Sequence, residues 1–234
     1  IYWILLANPT KLYVSMYLNC HTFYSMRYGT LSPQELVDWG AQNGVATLAL
    51  TDINNTSGAF EFIQRCQAVQ IKPVLGIDFR DKDRRMLYIG LARNSEGFRQ
   101  LNAFLTQYAA PGQELPPTPP DLPDCWIIYP LGRNINQLAA NESIGIRLQE
   151  VNHFSLREMS AAHPGQLVVL HPVSFGYPED HQTHQLLRAI DLNTLITKID
   201  TTNSAHPNEW LQPPDTLLKA FEAFPEIIKH TEYI

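Results

Sequence analysis

The chain has 234 residues, a net charge of −6, 44% hydrophobic and 17% charged side chains. That length suits one large domain or two small ones, and that composition belongs to a folded chain, not a disordered one. The acidic balance argues against a broad grip on nucleic-acid phosphates. Three scattered cysteines (Cys20, Cys66, Cys125) exclude a disulfide framework and a CxxC zinc module, which fits a reducing cytoplasm.

In chain order, the apolar start Ile1–Ala7 is too short to span a membrane, for which about 20 residues are needed, and it lacks a basic flank. No membrane association is expected. Met16 precedes a strand-like run, so residues 1–15 read as an upstream extension, with a first strand or packed arm as the alternative. Tyr13 to Asn19 is β-rich. Ser32-Pro33-Gln34-Glu35 is a capping box with proline at the first helical position; it predicts a helix to about Asn43, stopped by Gly44. Ala46 to Leu50 reads as a buried strand, Thr51 to Thr56 as a turn, and Ser57 to Ala68 as a helix. Pro73–Phe79 and Met86–Ala92 are strands. Ser95 is expected to cap a helix with Phe98, Leu101, Leu105 and Tyr108 at helical spacing.

Six prolines between Pro111 and Asp124 forbid regular structure and mark an extended loop. Strands are expected at Trp126–Tyr129, Ile144–Leu148 and Leu167–His171. Ser155-Leu156-Arg157-Glu158 is a second capping box. Pro178–Ile190 reads as a helix, with Asp191 capping a short one after it, and Pro214–Phe224 and Pro225–Thr231 as two more. Alternating strands and helices imply a parallel sheet, open or closed into a barrel, with chemistry at the C-terminal strand ends.

Those strand ends carry a resemblance. Leu18-Asn19-Cys20-His21-Thr22, Tyr24-Ser25 and Gly29, then Ser32 to Leu36, resemble the first motif of the PHP domain (polymerase and histidinol phosphatase). Leu48 to Asp52, Gly58 to Phe62, Ile71 to Gly76, Leu91 to Asn94 and Gly97-Phe98 follow in the family's order. Pro178-Glu179-Asp180 with His184, and a tail with Leu218, Phe221, Phe224-Pro225-Glu226 and Thr231, are similar to the PHP domains that begin bacterial DNA polymerase III alpha subunits. The resemblance covers about Met16 to Thr231. It implies an α/β fold, a PHP-type distorted seven-stranded (β/α) barrel over 16–234, holding up to three metal ions at its mouth. Such a site acidifies a metal-bound water for attack on a phosphoester.

Measured against the family's motif, most ligand positions carry the wrong chemistry. The first histidine is Asn19, and only His21 survives. An expected acid is Tyr28, a histidine is Ile53, and a glutamate is the shorter Asp78. Another histidine position falls at Leu87, and the late Asp-x-His falls on Pro172 and Ser174, with His171 one residue away. His21 and Asp78 remain as relic metal positions, and two ligands rarely hold a catalytic metal. No catalytic residue and no cofactor is expected, beyond a residual divalent metal (Zn, Mn or Mg).

Other candidates have bland readings beside the functional ones. His181 and His184 share a helix face and could bind a metal; the reading adopted is an exposed polar first turn. Asp52 is a metal carboxylate or orders its turn, the latter adopted. Cys20 and His21 alternate to opposite strand faces, so Cys20 reads as buried and inert. Arg80, Lys82, Arg84 and Arg85, interleaved with Asp81 and Asp83, read as a solvated hairpin tip, with a phosphate contact as the alternative.

The leading expectation is a non-catalytic PHP scaffold domain of a DNA polymerase III alpha-like protein, acting in replication or repair synthesis. Its partners would be the polymerase palm and other domains of the same parent chain and other replication subunits, with DNA touched only indirectly. The alternatives are a metal-dependent phosphoesterase of histidinol-phosphatase type, rebuilt on His21, Asp78, His171 and Asp52, and an interaction module docking through the proline-rich loop.

Overall fold

The computed structural model describes residues 16–110, 112–132, 137–152 and 156–234. The expectations for residues 1–15, and the second capping box at Ser155, lie outside the described residues.

Eight short strands occur among them: β1 (Asn19–Cys20), β2 (Thr47–Leu50), β3 (Lys72–Arg80), β4 (Met86–Ala92), β5 (Cys125–Pro130), β6 (Glu142–Ile146), β7 (Leu167–Val169) and β8 (Pro172–Val173). They form a six-stranded sheet in the order β2-β3-β4-β5-β6-β7 and a two-stranded pair, β1-β8. The expected count of seven is therefore not the count found. A parallel bridge between Tyr17 and Leu48 sets β1 beside β2, and only Leu170 and His171 separate β7 from β8. The extended run 167–173 thus touches β6 with its first half and β1 with its second. The sheet curls accordingly. It is not wholly parallel either: β4 runs antiparallel to both β3 and β5, because a short hairpin joins β3 to β4 where a helical crossover would be needed for parallel strands.

Inside the curl, Leu18, Ala49, Val74, Ile89, Leu91, Ile128, Val168 and Leu170 form one apolar cluster. Alternate residues such as Leu48, Leu50, Ile144 and Val169 face outward onto helices. Helix α1 (Pro33–Gln42) starts at the expected capping box: Glu35 N–H donates to Ser32 Oγ at 3.0 Å, and Ser32 N–H donates to Glu35 Oε2 at 2.8 Å. Helix α2 (Ala59–Val69) starts two residues later than expected and buries Phe62 and Cys66. Helix α3 (Ser95–Gln107) is capped by Asn94, not Ser95; the Asn94 side chain accepts from Gly97 N–H at 2.9 Å, and Ser95 is already helical.

The proline-rich loop packs back on the fold. Leu122 is buried, and Tyr88 Oη donates to the Pro116 carbonyl at 3.2 Å. Beyond β8 the chain makes one 3-10 turn at Pro178–Asp180 before α5 (His181–Asp191). Asp191 ends that helix and caps nothing after it; its carboxylate is taken by arginines. Helices α4 (Leu156–Ala162), α6 (Pro214–Ala220) and α7 (Pro225–Tyr233) complete the described elements. None of the described helices is long and apolar enough to cross a membrane.

Candidate functional site at the barrel mouth

The C-terminal ends of β1, β3 and β8 converge. His21 follows β1, Asp78 lies in β3, and Ser174 follows β8. His21 Nε2–H donates to Asp78 Oδ2 at 2.9 Å, and His21 Nδ1 lies 3.1 Å from Ser174 Oγ. Ser174 Oγ–H donates to Glu209 Oε2 at 3.0 Å. The two sequence-predicted residues, His21 and Asp78, are therefore neighbours, and both are fully buried.

A third member was read elsewhere. Arg80 was assigned to a solvated hairpin tip, yet it is 6% exposed and points back into the mouth. Its Nε and Nη2 both donate to Asp78 Oδ2, at 3.0 and 2.8 Å. Asp78 and Arg80 stand two apart on one strand, so they share a face; that alternation is the signal that could have found the pair. Burial pushes the Asp78 carboxyl up, but Arg80 and His21 outweigh it and hold it down at about 2. Burial pulls Arg80 down, and Asp78 and Tyr28 more than reverse that.

Tyr28, where an acid was expected, is a spacer between cations. The Arg80 guanidinium sits 4.5 Å from its ring centre and that of Arg188 5.5 Å, a favourable arrangement for both charges. Arg188 is fully buried and donates to Asp191, to the Arg27 carbonyl and to the Asn203 carbonyl. Arg188 and Glu209 reach the mouth from distant segments with no local motif, and nothing in the sequence pattern marked them.

The other candidates are occupied by structural bonds. Asp52 accepts from Thr22 N–H at 2.6 Å, Ser25 Oγ–H at 2.7 Å and Thr22 Oγ1–H at 2.9 Å, so it orders the loop between β1 and α1. Gly29 belongs to that loop: a Cβ there would lie 2.1 Å from the Thr22 carbonyl oxygen, too close for any other residue without moving backbone. His171 Nε2–H donates to the Trp210 carbonyl at 2.9 Å. Asn19 Oδ1 accepts from Thr51 Oγ1–H at 2.9 Å.

The exposed face expected for His184 is wrong. His184 is fully buried, its Nδ1–H donating to the Tyr28 carbonyl at 2.7 Å and its Nε2 accepting from Ala205 N–H at 2.8 Å. Burial lowers its pKa to about 4. His181 donates to the Ala205 carbonyl at 3.2 Å. Residues 205–212 thus strap the mouth, and the histidines of α5 hold the strap.

Of the four residues of the rebuilt phosphoesterase site, His21 and Asp78 bond each other, while Asp52 bonds Thr22 and Ser25 and His171 bonds the Trp210 carbonyl. Among the described residues, no group of three His, Cys, Asp or Glu side chains is placed to hold a metal ion.

A family model described as the PHP domain matches residues 18–124. Residues 18–124 belong to the PHP domain family. The chain is also 26% identical over 268 aligned residues to an error-prone DNA polymerase of Symbiobacterium thermophilum, covering 92% of this chain and 24% of that protein. It is 33% identical over 106 residues to DNA polymerase III subunit alpha of Mycoplasma pneumoniae, covering 44% of this chain and 12% of that one. A solved structure described as a metal-dependent phosphoesterase of Bifidobacterium adolescentis overlaps with a TM-score of 0.32 at 12% identity, covering 89% of this chain and 96% of that one. The chain spans a quarter or less of the length of these polymerase relatives.

The barrel mouth presents a file of polar contacts, Arg80–Asp78–His21–Ser174–Glu209, that ties β1, β3, β8 and the strap together. Its thiols take no part. Cys20 is buried with its Sγ toward the Tyr17 carbonyl, and burial raises its pKa; burial likewise raises Cys66 and Cys125 to about 12.

Proposed function

We propose that this chain is a non-catalytic PHP domain that braces a DNA-polymerase-like parent protein. The observation that carries the reading is the placement of Arg80. Its guanidinium supplies the positive charge beside Asp78 that a metal cation would supply in an active PHP site. A divalent ion at Asp78 would have to displace that guanidinium or sit against it, and His21 Nε2 would have to leave the same carboxylate oxygen. At an effective dielectric of about 20, a divalent ion about 4 Å from a guanidinium is repelled by about 8 kcal/mol. The donor set does not fit a metal cluster, and no step of phosphoester attack is assigned to it.

A buried file of polar contacts is suited to holding elements in register, although Asp78 Oδ1 is left without a hydrogen-bond partner. Here it links the first strand, the centre of the sheet and the segment that covers the mouth. The polymerase relatives, far longer chains that carry such a region, support placing this domain beside the other domains of a parent chain. In that role it would contact the palm and neighbouring domains and other replication subunits, with DNA only indirectly engaged, in a cytoplasmic machine.

Phosphoester hydrolysis is the test. The purified chain is assayed on p-nitrophenyl phosphate and on a mismatched primer end, with Zn, Mn or Mg added in turn. No turnover above a denatured control is expected. Metal-dependent hydrolysis that disappears in His21→Ala would overturn the reading.

A further inference from the structure

In the proline-rich loop, residues 118–123 read Thr-Pro-Pro-Asp-Leu-Pro, and their burial repeats every three residues. Pro119 and Leu122 turn inward: Pro119 is half-buried, and Leu122 joins the apolar cluster of Phe79, Tyr88 and Phe104. Pro120 and Pro123 are exposed, and so are Thr118 and Asp121. A period of three belongs to the polyproline II helix, which has about three residues per turn. The sequence favours that conformation. Each proline fixes its own φ, and a residue before a proline is driven out of the helical region, which covers Thr118, Pro119 and Leu122. The chain bends at Pro117–Thr118 on entering this stretch and turns on leaving it, where Cys125 N–H donates to the Leu122 carbonyl at 3.0 Å. Side chains hold both ends. Tyr88 Oη donates to the Pro116 carbonyl at 3.2 Å, and Asn141 Nδ2 donates to the Leu122 carbonyl at 3.2 Å.

Stiffening the loop explains a proline at any of these positions. It does not require two rings on one outward edge, about 9 Å apart. Such an edge is what an aromatic-lined groove reads in a proline ligand, and a backbone already fixed spares the entropy of ordering it. Charge adds a second constraint. Residues 111–124 carry Glu114, Asp121 and Asp124 and neither lysine nor arginine. Glu114 pairs with Lys82, and Asp124 accepts from Asn94 and Gln100. Asp121 has no ion-pair partner among the described residues. We propose that residues 118–123 are a preformed polyproline II ligand for a protein domain whose aromatic groove has a basic rim. Pro120 and Pro123 enter the groove, and Asp121 meets the rim. The inference goes beyond the bracing role, since it uses neither the barrel mouth nor the rest of a parent chain.

The test is an NMR titration of the isotope-labelled chain with a purified WW domain that carries arginine at the rim of its groove. Saturable shifts centred on residues 118–123 are expected. Pro120→Ala combined with Pro123→Ala is expected to weaken binding about tenfold, while amide shifts outside the loop stay as in the parent chain and show that the variant folds. Asp121→Asn is expected to weaken binding about threefold and to flatten its dependence on potassium chloride. A synthetic peptide of residues 115–124, with neither end held, is expected to bind the same domain more weakly than the chain does. No saturable shift, shifts centred outside the loop, or binding untouched by the double substitution would overturn the inference. A peptide that binds as tightly as the chain would overturn the preformed conformation on which it rests.

Discussion

Arg80 donates to one oxygen of Asp78, Oδ2, through both Nε at 3.0 Å and Nη2 at 2.8 Å, where neither side chain is more than 7% exposed. Removing the carboxylate charge leaves a buried guanidinium without its partner. Asp78→Asn is expected to destabilise the chain by about 3–5 kcal/mol in urea unfolding. The pair Asp78→Leu with Arg80→Met, which removes both charges, is expected to recover most of that loss. A single substitution without measurable cost would show that the pair is not formed.

His184 makes stability depend on pH. It is buried and neutral, with its pKa lowered from 6.5 to about 4. Between those values the unfolded chain binds a proton that the folded chain does not, so stability is complete above about pH 6.5 and falls as pH drops toward 4. The loss approaches about 3 kcal/mol. His171, also lowered by burial, acts in the same direction, whereas Asp52, raised by burial, opposes it. Asp78, held down at about 2, adds its own loss only below pH 3.8. Urea midpoints at pH 7 and pH 4.5 measure the slope. His184→Gln is expected to flatten it, and an unchanged slope would remove His184 as its source.

Asp52 gathers the loop between β1 and α1 through three donor groups on Thr22 and Ser25. Asp52→Ala leaves the buried Thr22 amide without an acceptor and is expected to cost about 3 kcal/mol. Asp52→Asn keeps an acceptor oxygen and is expected to cost less. If Asp52 were a metal ligand instead, both changes would lower metal content; neither is expected to.

Asp191 joins three segments: its carboxylate meets Arg27, Arg84 and Arg188. Arg188 is fully buried, so Asp191→Ala strands a charge inside the fold. A loss of about 3 kcal/mol is expected, together with faster amide exchange at the β3–β4 turn that carries Arg84. Protection of that turn left as in the parent chain would show that Asp191 does not anchor it.

Local signals were the legible ones. The Ser32–Glu35 capping box needs only four consecutive residues, and the structure contains both of its hydrogen bonds. The strand Met86–Ala92 matches its predicted limits. His21 and Asp78, adjacent here, were marked only by the resemblance to the PHP motif. Less legible were relations that depend on closure of the sheet. Arg80 carries the chemistry of a hairpin tip in sequence, and it shares the face of Asp78 because β3 runs on through Arg80. His184 has the helical spacing of an exposed polar face, and the strap at 205–212 buries it from a segment with no pattern of its own. The antiparallel β4 was hidden for a similar reason: a strand run states its length, and only its connection states its direction.

Metal stoichiometry tests the central claim most directly. The chain is purified without chelator, equilibrated with Zn and Mn, desalted and measured by inductively coupled plasma mass spectrometry, with Arg80→Ala alongside. The account expects well under one metal per chain in the parent protein, and a rise in Arg80→Ala if Arg80 is what stands in the cation's place. Two or more metals per chain in the parent protein would contradict it.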